Sequence, residues 1–176
     1  VLPGFPEKNH LAPAGADSWG VGTERGMILN YITGTAGWAG GGFNYDNFET
    51  PAIETTDLSR FNDFVFGLKG NPSEVKFEVI DDQDRKTTIY LSGIRNDVEQ
   101  FWRIPTSSIT SYGVDLTKVR MIYFIIEGAN QTGAVEINRV PMLNPSMLHS
   151  AWDINLLGDP QNVREAPQGA SASVSD

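Results

Sequence analysis

Large apolar residues at every second position constrain this chain more than any other feature. The stretch Thr55–Gly70 (TTDLSRFNDFVFGLKG) shows it best. A polar turn leads into Phe64, Phe66 and Leu68, which alternate with Val65, Gly67 and Lys69, and the run stops at Gly70-Asn71-Pro72-Ser73. A period of two with bulk on one side is the pattern of a strand covered on one face. The Gly-Asn-Pro-Ser run is a strong turn signal. The opposite face carries a small residue and a lysine, which suits solvent or a ligand.

The pattern recurs along the chain. Met27–Thr33 is the first clear strand, and Trp38–Tyr45 is its expected antiparallel partner across the Gly34–Gly37 turn. The three glycines Gly40–Gly42 cost backbone entropy in a strand, so they predict a bulge or the close approach of another segment. Further strands are expected at Asp63–Lys69, Glu74–Ile80, Lys86–Ser92, Gln100–Ile104, Val119–Glu127 and Ala134–Val140. Glu74–Ile80 and Lys86–Ser92 read as a hairpin, and Val119–Glu127, the most apolar, as a central strand. No run of 3.6 periodicity reaches helical length, although Ser107–Leu116 could hold a short turn of helix. Short strands between turn signals indicate an all-β antiparallel sandwich or jelly roll.

Residues 1–26 read as an irregular Pro/Gly/Ala-rich lead-in packed on the sandwich, with at most one short strand around Ser18–Val21. Residues 27–143 form the sandwich, and 144–176 a C-terminal segment and flexible tail. Within that tail Met147, Leu148, Trp152 and Leu156 could cover a sheet face. The chain starts at Val1, which is expected of a mature or excised fragment.

Composition excludes several classes. With a net charge of −9, the surface repels phosphates and does not suit nucleic acid. No apolar run is long enough to span a bilayer, so membrane insertion is not expected. The absence of cysteine removes thiol catalysis, disulfides and zinc-thiolate sites. No G-x-S-x-G, P-loop or H-E-x-x-H motif is present. The histidines, His10 and His149, would have to converge from the two ends of the chain to make a metal site. Asn130-Gln131-Thr132 matches a glycosylation sequon. Nothing marks an enzyme.

The order of segments carries a resemblance. GWAGGGF, DLSRFNDFVFGLKG, EVKFEVID, QFWRIPTSSI, DLTKVRMIYFII and AVEINRV follow one another as in the galactose-binding-like β-sandwich of carbohydrate-binding modules. The chain is most similar to modules of the family 11 type and to the domain named after complex I intermediate-associated proteins. The matching positions are Lys69-Gly70, Val79-Ile80-Asp81, Ile104-Pro105, and Val119, Ile122 and Phe124. In the last strand the family's isoleucine-aspartate is replaced by Ile137-Asn138.

The resemblance implies a register. Phe64, Phe66, Val75, Phe77, Val79, Ile89, Leu91, Trp102, Ile104, Ile122, Phe124 and Ile126 face the core. Tyr90, Phe101, Arg103 and Tyr123 would then share an outer surface with Lys76 and Glu78. Flat aromatics beside charged groups are what a sugar's apolar face and hydroxyl rim require. The competing reading is that this surface, with Met121 and Ile125 on it, is structurally covered. Trp38 is either an exposed stacking platform or a core residue, and Trp19 and Trp152 are equally ambiguous.

The resemblance also implies a structural calcium joining an early loop to the final strand, with Asp46, Glu49, Glu136 and Asn138 as its candidate ligands, and no other cofactor. The asparagine at 138 puts that site in doubt. The aspartate run 81–84 reads as a solvated turn.

The expected function is non-catalytic polysaccharide binding, in a module of a larger secreted or cell-surface protein, extracellular or periplasmic and bacterial. The alternative is a structural or interaction module of a surface-layer or envelope assembly with no sugar ligand.

Overall fold

The computed structural model describes residues 13–46 and 50–139, and the backbone of the strand pieces 164–165 and 173–174. It is a sandwich of two antiparallel sheets with almost no helix. In chain order the strands are β1 (Asp17–Gly22), β2 (Gly26–Ile32), β3 (Trp38–Asn44), β4 (Asp63–Gly70), β5 (Glu74–Asp81), β6 (Ile89–Ser92), β7 (Gln100–Pro105), β8 (Val119–Glu127), β9 (Thr132–Arg139), β10 (Arg164–Glu165) and β11 (Ser173–Val174). One sheet has five strands in the order β1-β2-β9-β4-β7, and the other six in the order β11-β10-β6-β5-β8-β3. The short helix α1 (Thr106–Thr110) follows β7 inside the stretch expected to hold one. Among the described residues no helix is long and apolar enough to cross a membrane.

Period-two alternation puts one row of side chains of each sheet against the other. All twelve residues expected to face the core are buried, with Trp102, Phe64, Phe77 and Phe124 among the largest. Burying such a side chain contributes roughly 1.5–3 kcal/mol. Aromatic rings lock the layers together. Phe66 of β4 meets Phe124 of β8 edge-on at 5.0 Å, and Phe77 of β5 lies 5.5 Å from Phe66 and 5.4 Å from Phe124.

β8 is an interior strand, between β5 and β3. β5 and β6 form the expected hairpin, but the second strand starts only at Ile89. Thr87 explains the delay: its buried hydroxyl donates to the Phe77 carbonyl at 3.0 Å and accepts from the Val79 amide at 2.9 Å, taking ladder positions that a strand residue would use.

One expectation is corrected, and the choice between bulge and close approach at the glycines is decided. β3 does not pair with β2. β2 lies between β1 and β9, while β3 crosses to the other sheet and pairs with β8. Nor do the three glycines form a bulge, since the β3–β8 register runs unbroken from Trp38 to Asn44. They serve close approach instead: a Cβ on Gly42 would sit 2.0 Å from the Ile122 carbonyl oxygen. In the tail, Arg164 of β10 pairs with Tyr90 and extends the six-stranded sheet beyond β6. The helix-or-lid segment around Trp152 lies outside the described residues.

Candidate functional site

β6, β5 and β8 lie side by side, in a register that aligns Tyr90, Lys76 and Ile125. All three side chains point away from the core, because their neighbours Ile89, Phe77 and Phe124 point into it. Glu127 closes the row from the end of β8. Its Oε1 lies 2.5 Å from Lys76 Nζ, and its Oε2 accepts from the Tyr90 hydroxyl at 2.9 Å. Lys76 also lies 3.5 Å from Glu78, which has Lys86 at the same distance on its far side. Ser92 donates to Glu74 at the neighbouring corner.

Glu74, Lys76, Tyr90 and Glu127 line a cleft of about 140 Å³ together with Pro72, Ser73, Ile125 and Gln131. Burial pushes the Tyr90 hydroxyl up to about 12, helped by its hydrogen bond to Glu127 and by the charges of Glu127, Glu74 and Glu78. Tyr90 is therefore a neutral donor at any physiological pH. The cleft offers a half-buried aromatic ring, carboxylates that accept, and an ammonium that donates.

The rest of that face is different. Ile80, Met121, Tyr123 and Ile125 form a second apolar cluster, each buried, and Trp38 packs against it half-buried. Tyr123 is only 6% exposed, and its hydroxyl is held above the ordinary range by burial. Trp38 is thus neither an exposed platform nor part of the main core. Glu78 is 4% exposed and tied to its two lysines.

Phe101 and Arg103 do not join this face, which corrects the single surface expected from the sequence. β7 pairs with β4 at the edge of the five-stranded sheet, so both side chains point out on the far side of the sandwich. Arg103 donates to Asp63 at 2.7 Å there.

The expected calcium ligands do not converge either. Asp46, beyond β3, accepts from Arg120 Nε at 2.6 Å and from the Glu54 amide at 3.2 Å. Glu136 and Asn138 belong to β9 of the other sheet. There the Asn138 amide nitrogen donates to Glu136 (3.0 Å) and to Glu99 (2.7 Å). Glu99 also receives both guanidinium nitrogens of Arg25 at 3.0 Å, and it reaches over the sheet where Gly67 has no side chain. Glu49 lies outside the described residues, as do His10 and His149. Among the described residues no group of three or more His, Cys, Asp or Glu is placed to hold a metal. Among the described residues, Asp46, Glu136 and Asn138 do not come together around one position for calcium.

The aspartate turn is more than solvated. Asp81 is fully buried and accepts from the Gln83 and Arg85 amides, Arg85 Nε and the Asp115 amide. Burial alone would raise its carboxyl, but these bonds outweigh it and hold the carboxyl below the ordinary range. Sequence reasoning also left Trp19 undecided. The structure places it outward on β1, 41% exposed.

The fold is shared with carbohydrate-binding modules. The family 11 module of the cellulosomal cellulase Lic26A-Cel5E of Clostridium thermocellum matches with a TM-score of 0.55 at 18% identity, over 78% of this chain and 87% of that one. The family 11 module from Clostridium thermocellum in complex with a β-1,3-1,4-mixed-linked tetrasaccharide matches with a TM-score of 0.54 at 19% identity, over 78% and 88%. An exo-β-agarase matches with a TM-score of 0.53 at 11% identity, over 75% of this chain but only 23% of its own. No family model matches the sequence. No curated protein matches it either.

Proposed function

We propose that this domain is a non-catalytic carbohydrate-binding module that grips a polysaccharide at the Tyr90 cleft. The observation that carries the reading is the convergence of Tyr90 and Lys76 on one carboxylate, Glu127, in a cleft on a rigid sheet. A sugar ring lays its C–H face on the tyrosine while its hydroxyls donate to Glu74 and Glu127 and accept from Lys76. Shared architecture with the family 11 modules supports this assignment.

The cleft's 140 Å³ is below the roughly 300 Å³ at which drug-sized pockets begin, so it suits one ring of a longer chain. Affinity is correspondingly weak, about −4 to −8 kcal/mol, or millimolar to micromolar. We propose that the protein works outside the cell, secreted or on a surface, as one module of a larger chain, a placement that a polysaccharide ligand would suit. Cell fractionation tests that placement.

Affinity electrophoresis through mixed-linked β-1,3-1,4-glucan, xylan, galactomannan and soluble agarose tests the function. At least one polymer is expected to retard the protein, and Tyr90→Ala to abolish the retardation while far-UV circular dichroism shows the sandwich still folded. Passage through all four unretarded, or undiminished binding by Tyr90→Ala, overturns the proposal.

A further inference from the structure

The outer face of the five-stranded sheet carries an exposed aromatic that the cleft does not use. β1 alternates in an inverted sense. Ser18 points into the sandwich, its hydroxyl donating to the Gly40 carbonyl at 2.7 Å, so Trp19 and Val21 point out. They are 41% and 51% exposed, and Ile32 on the neighbouring strand is 39% exposed.

Strand register sets what surrounds the ring. Trp19 lies opposite Asn30, which lies opposite Ala134. In the next outward row Val21, Ile28, Glu136 and Lys69 follow one another across β1, β2, β9 and β4. Neighbouring strands are about 4.8 Å apart, so the Asn30 amide stands one strand spacing from the indole, and Glu136 and Lys69 stand two and three spacings across and one row along. The small Ala134 keeps the lane beside Asn30 low.

This mixture identifies the occupant. The centre of a protein–protein interface is depleted of charge, whereas here Asn30 lies between Trp19 and Ala134, and Glu136 and Lys69 continue the row of Val21 and Ile28. A pyranose ring has the matching surface, a flat C–H face for the indole and a rim of hydroxyls for donors and acceptors of both kinds.

We propose that Trp19 is the stacking platform of a second carbohydrate site, which takes a pyranose ring of the polysaccharide with Asn30 and Glu136 bonding its hydroxyls. The inference rests on the glycan-binding reading above. The two sites face away from each other on opposite sheets, so one molecule bridges two polysaccharide chains.

The test uses whichever of the four polymers retards the wild type, and reads both retardation and turbidity from bridging. Trp19→Ala is expected to weaken retardation about 2- to 10-fold, the range of one aromatic contact, and to abolish turbidity. Trp19→Phe keeps most of both. Tyr90→Ala abolishes turbidity too, since one site remains. Its residual weak retention, too small to shift a band, shows in titration and disappears in the Tyr90→Ala, Trp19→Ala double variant. Asn30→Ala gives the same reading should Trp19→Ala fail to fold. If Trp19→Ala and Asn30→Ala match the wild type while Tyr90→Ala loses all binding, the second site is overturned and the first stands. A wild type that binds none of the polymers removes both.

Discussion

The Tyr90 hydroxyl donates to Glu127 Oε2 at 2.9 Å, linking β6 to β8 over the intervening β5. Burial first, then that bond and its acidic neighbours, raise the phenol from its ordinary value near 10 to about 12 in the fold. The protonated form is the one stabilised. Its contribution is therefore complete below pH 10 and is lost as pH rises through 12. NMR of 13C-labelled tyrosine should show one ring titrating near pH 12 that is missing from Tyr90→Phe. The variant's stability should also fall less steeply than the wild type's above pH 10. A Tyr90 resonance that titrates near 10 would show that the contact with Glu127 does not persist in solution.

Gly42 makes a sharper prediction about the sheet itself. A methyl group there would meet the Ile122 carbonyl oxygen at 2.0 Å, and that atom is backbone. The ladder between β3 and β8 has to part to admit it. Gly42→Ala is expected to destabilise by about 1–3 kcal/mol, the range for overpacking, read as a shift in the urea midpoint at constant m-value. Gly22→Ala, at the end of edge strand β1 with nothing within 4 Å of the added carbon, is the control and should be close to neutral. Equal effects at the two positions would refute the close-approach explanation.

The contrast between those glycines shows what was legible in the sequence. Alternation fixes which face of a strand is buried, because each residue's neighbours two places away share its environment. Local alternation alone thus puts Phe64 and Phe77 on a buried face, whereas Trp102 takes its inward direction from the family resemblance. Alternation carries no information about which sheet a strand joins. That depends on non-local pairing, here β4 with β7 and β9 rather than with its chain neighbour β5. Phe101 and Arg103 were rightly read as outward but were grouped with Tyr90 on the wrong sheet. Trp19 was hidden for a related reason. In DSWGVG the inward positions are the small Ser18, Gly20 and Gly22 and the bulk faces out, so the usual sign of the pattern is reversed.

Asp81 should dominate the acid limb of stability. Its carboxyl is depressed in the fold, where each oxygen accepts two hydrogen bonds. A depressed group contributes fully above its unfolded value, near 3.8, and loses that contribution as pH falls through the folded value. Asp81→Asn keeps the shape but turns an NH₂ group toward two donors, whichever way the amide lies. Leaving buried donors unmet costs on the order of 1–3 kcal/mol. The variant should lose about that much at pH 7 in urea titration, and the gap to the wild type should close on acidification below pH 4. A gap that is independent of pH would mean that Asp81 acts through packing alone.

Asp46 provides the last test, because the same carboxylate has two rival assignments. As a calcium ligand it would give up its ion pair with Arg120. As an ion-pair partner it is already satisfied by Arg120 Nε at 2.6 Å, with Asp84 taking the other arm of the guanidinium at 3.0 Å. The Asp46 side chain is 3% exposed and that of Arg120 17%, so solvent screens the pair little and its removal is costly. A double-mutant cycle of Asp46→Asn and Arg120→Met is expected to give a coupling energy of roughly 0.5–3 kcal/mol, as for contacting residues in one network. The ion-pair assignment also predicts the same Tm in calcium as in a chelator, for the wild type and for Asp46→Asn. A calcium-dependent rise in Tm that disappears in Asp46→Asn, together with a coupling near zero, would return Asp46 to the metal.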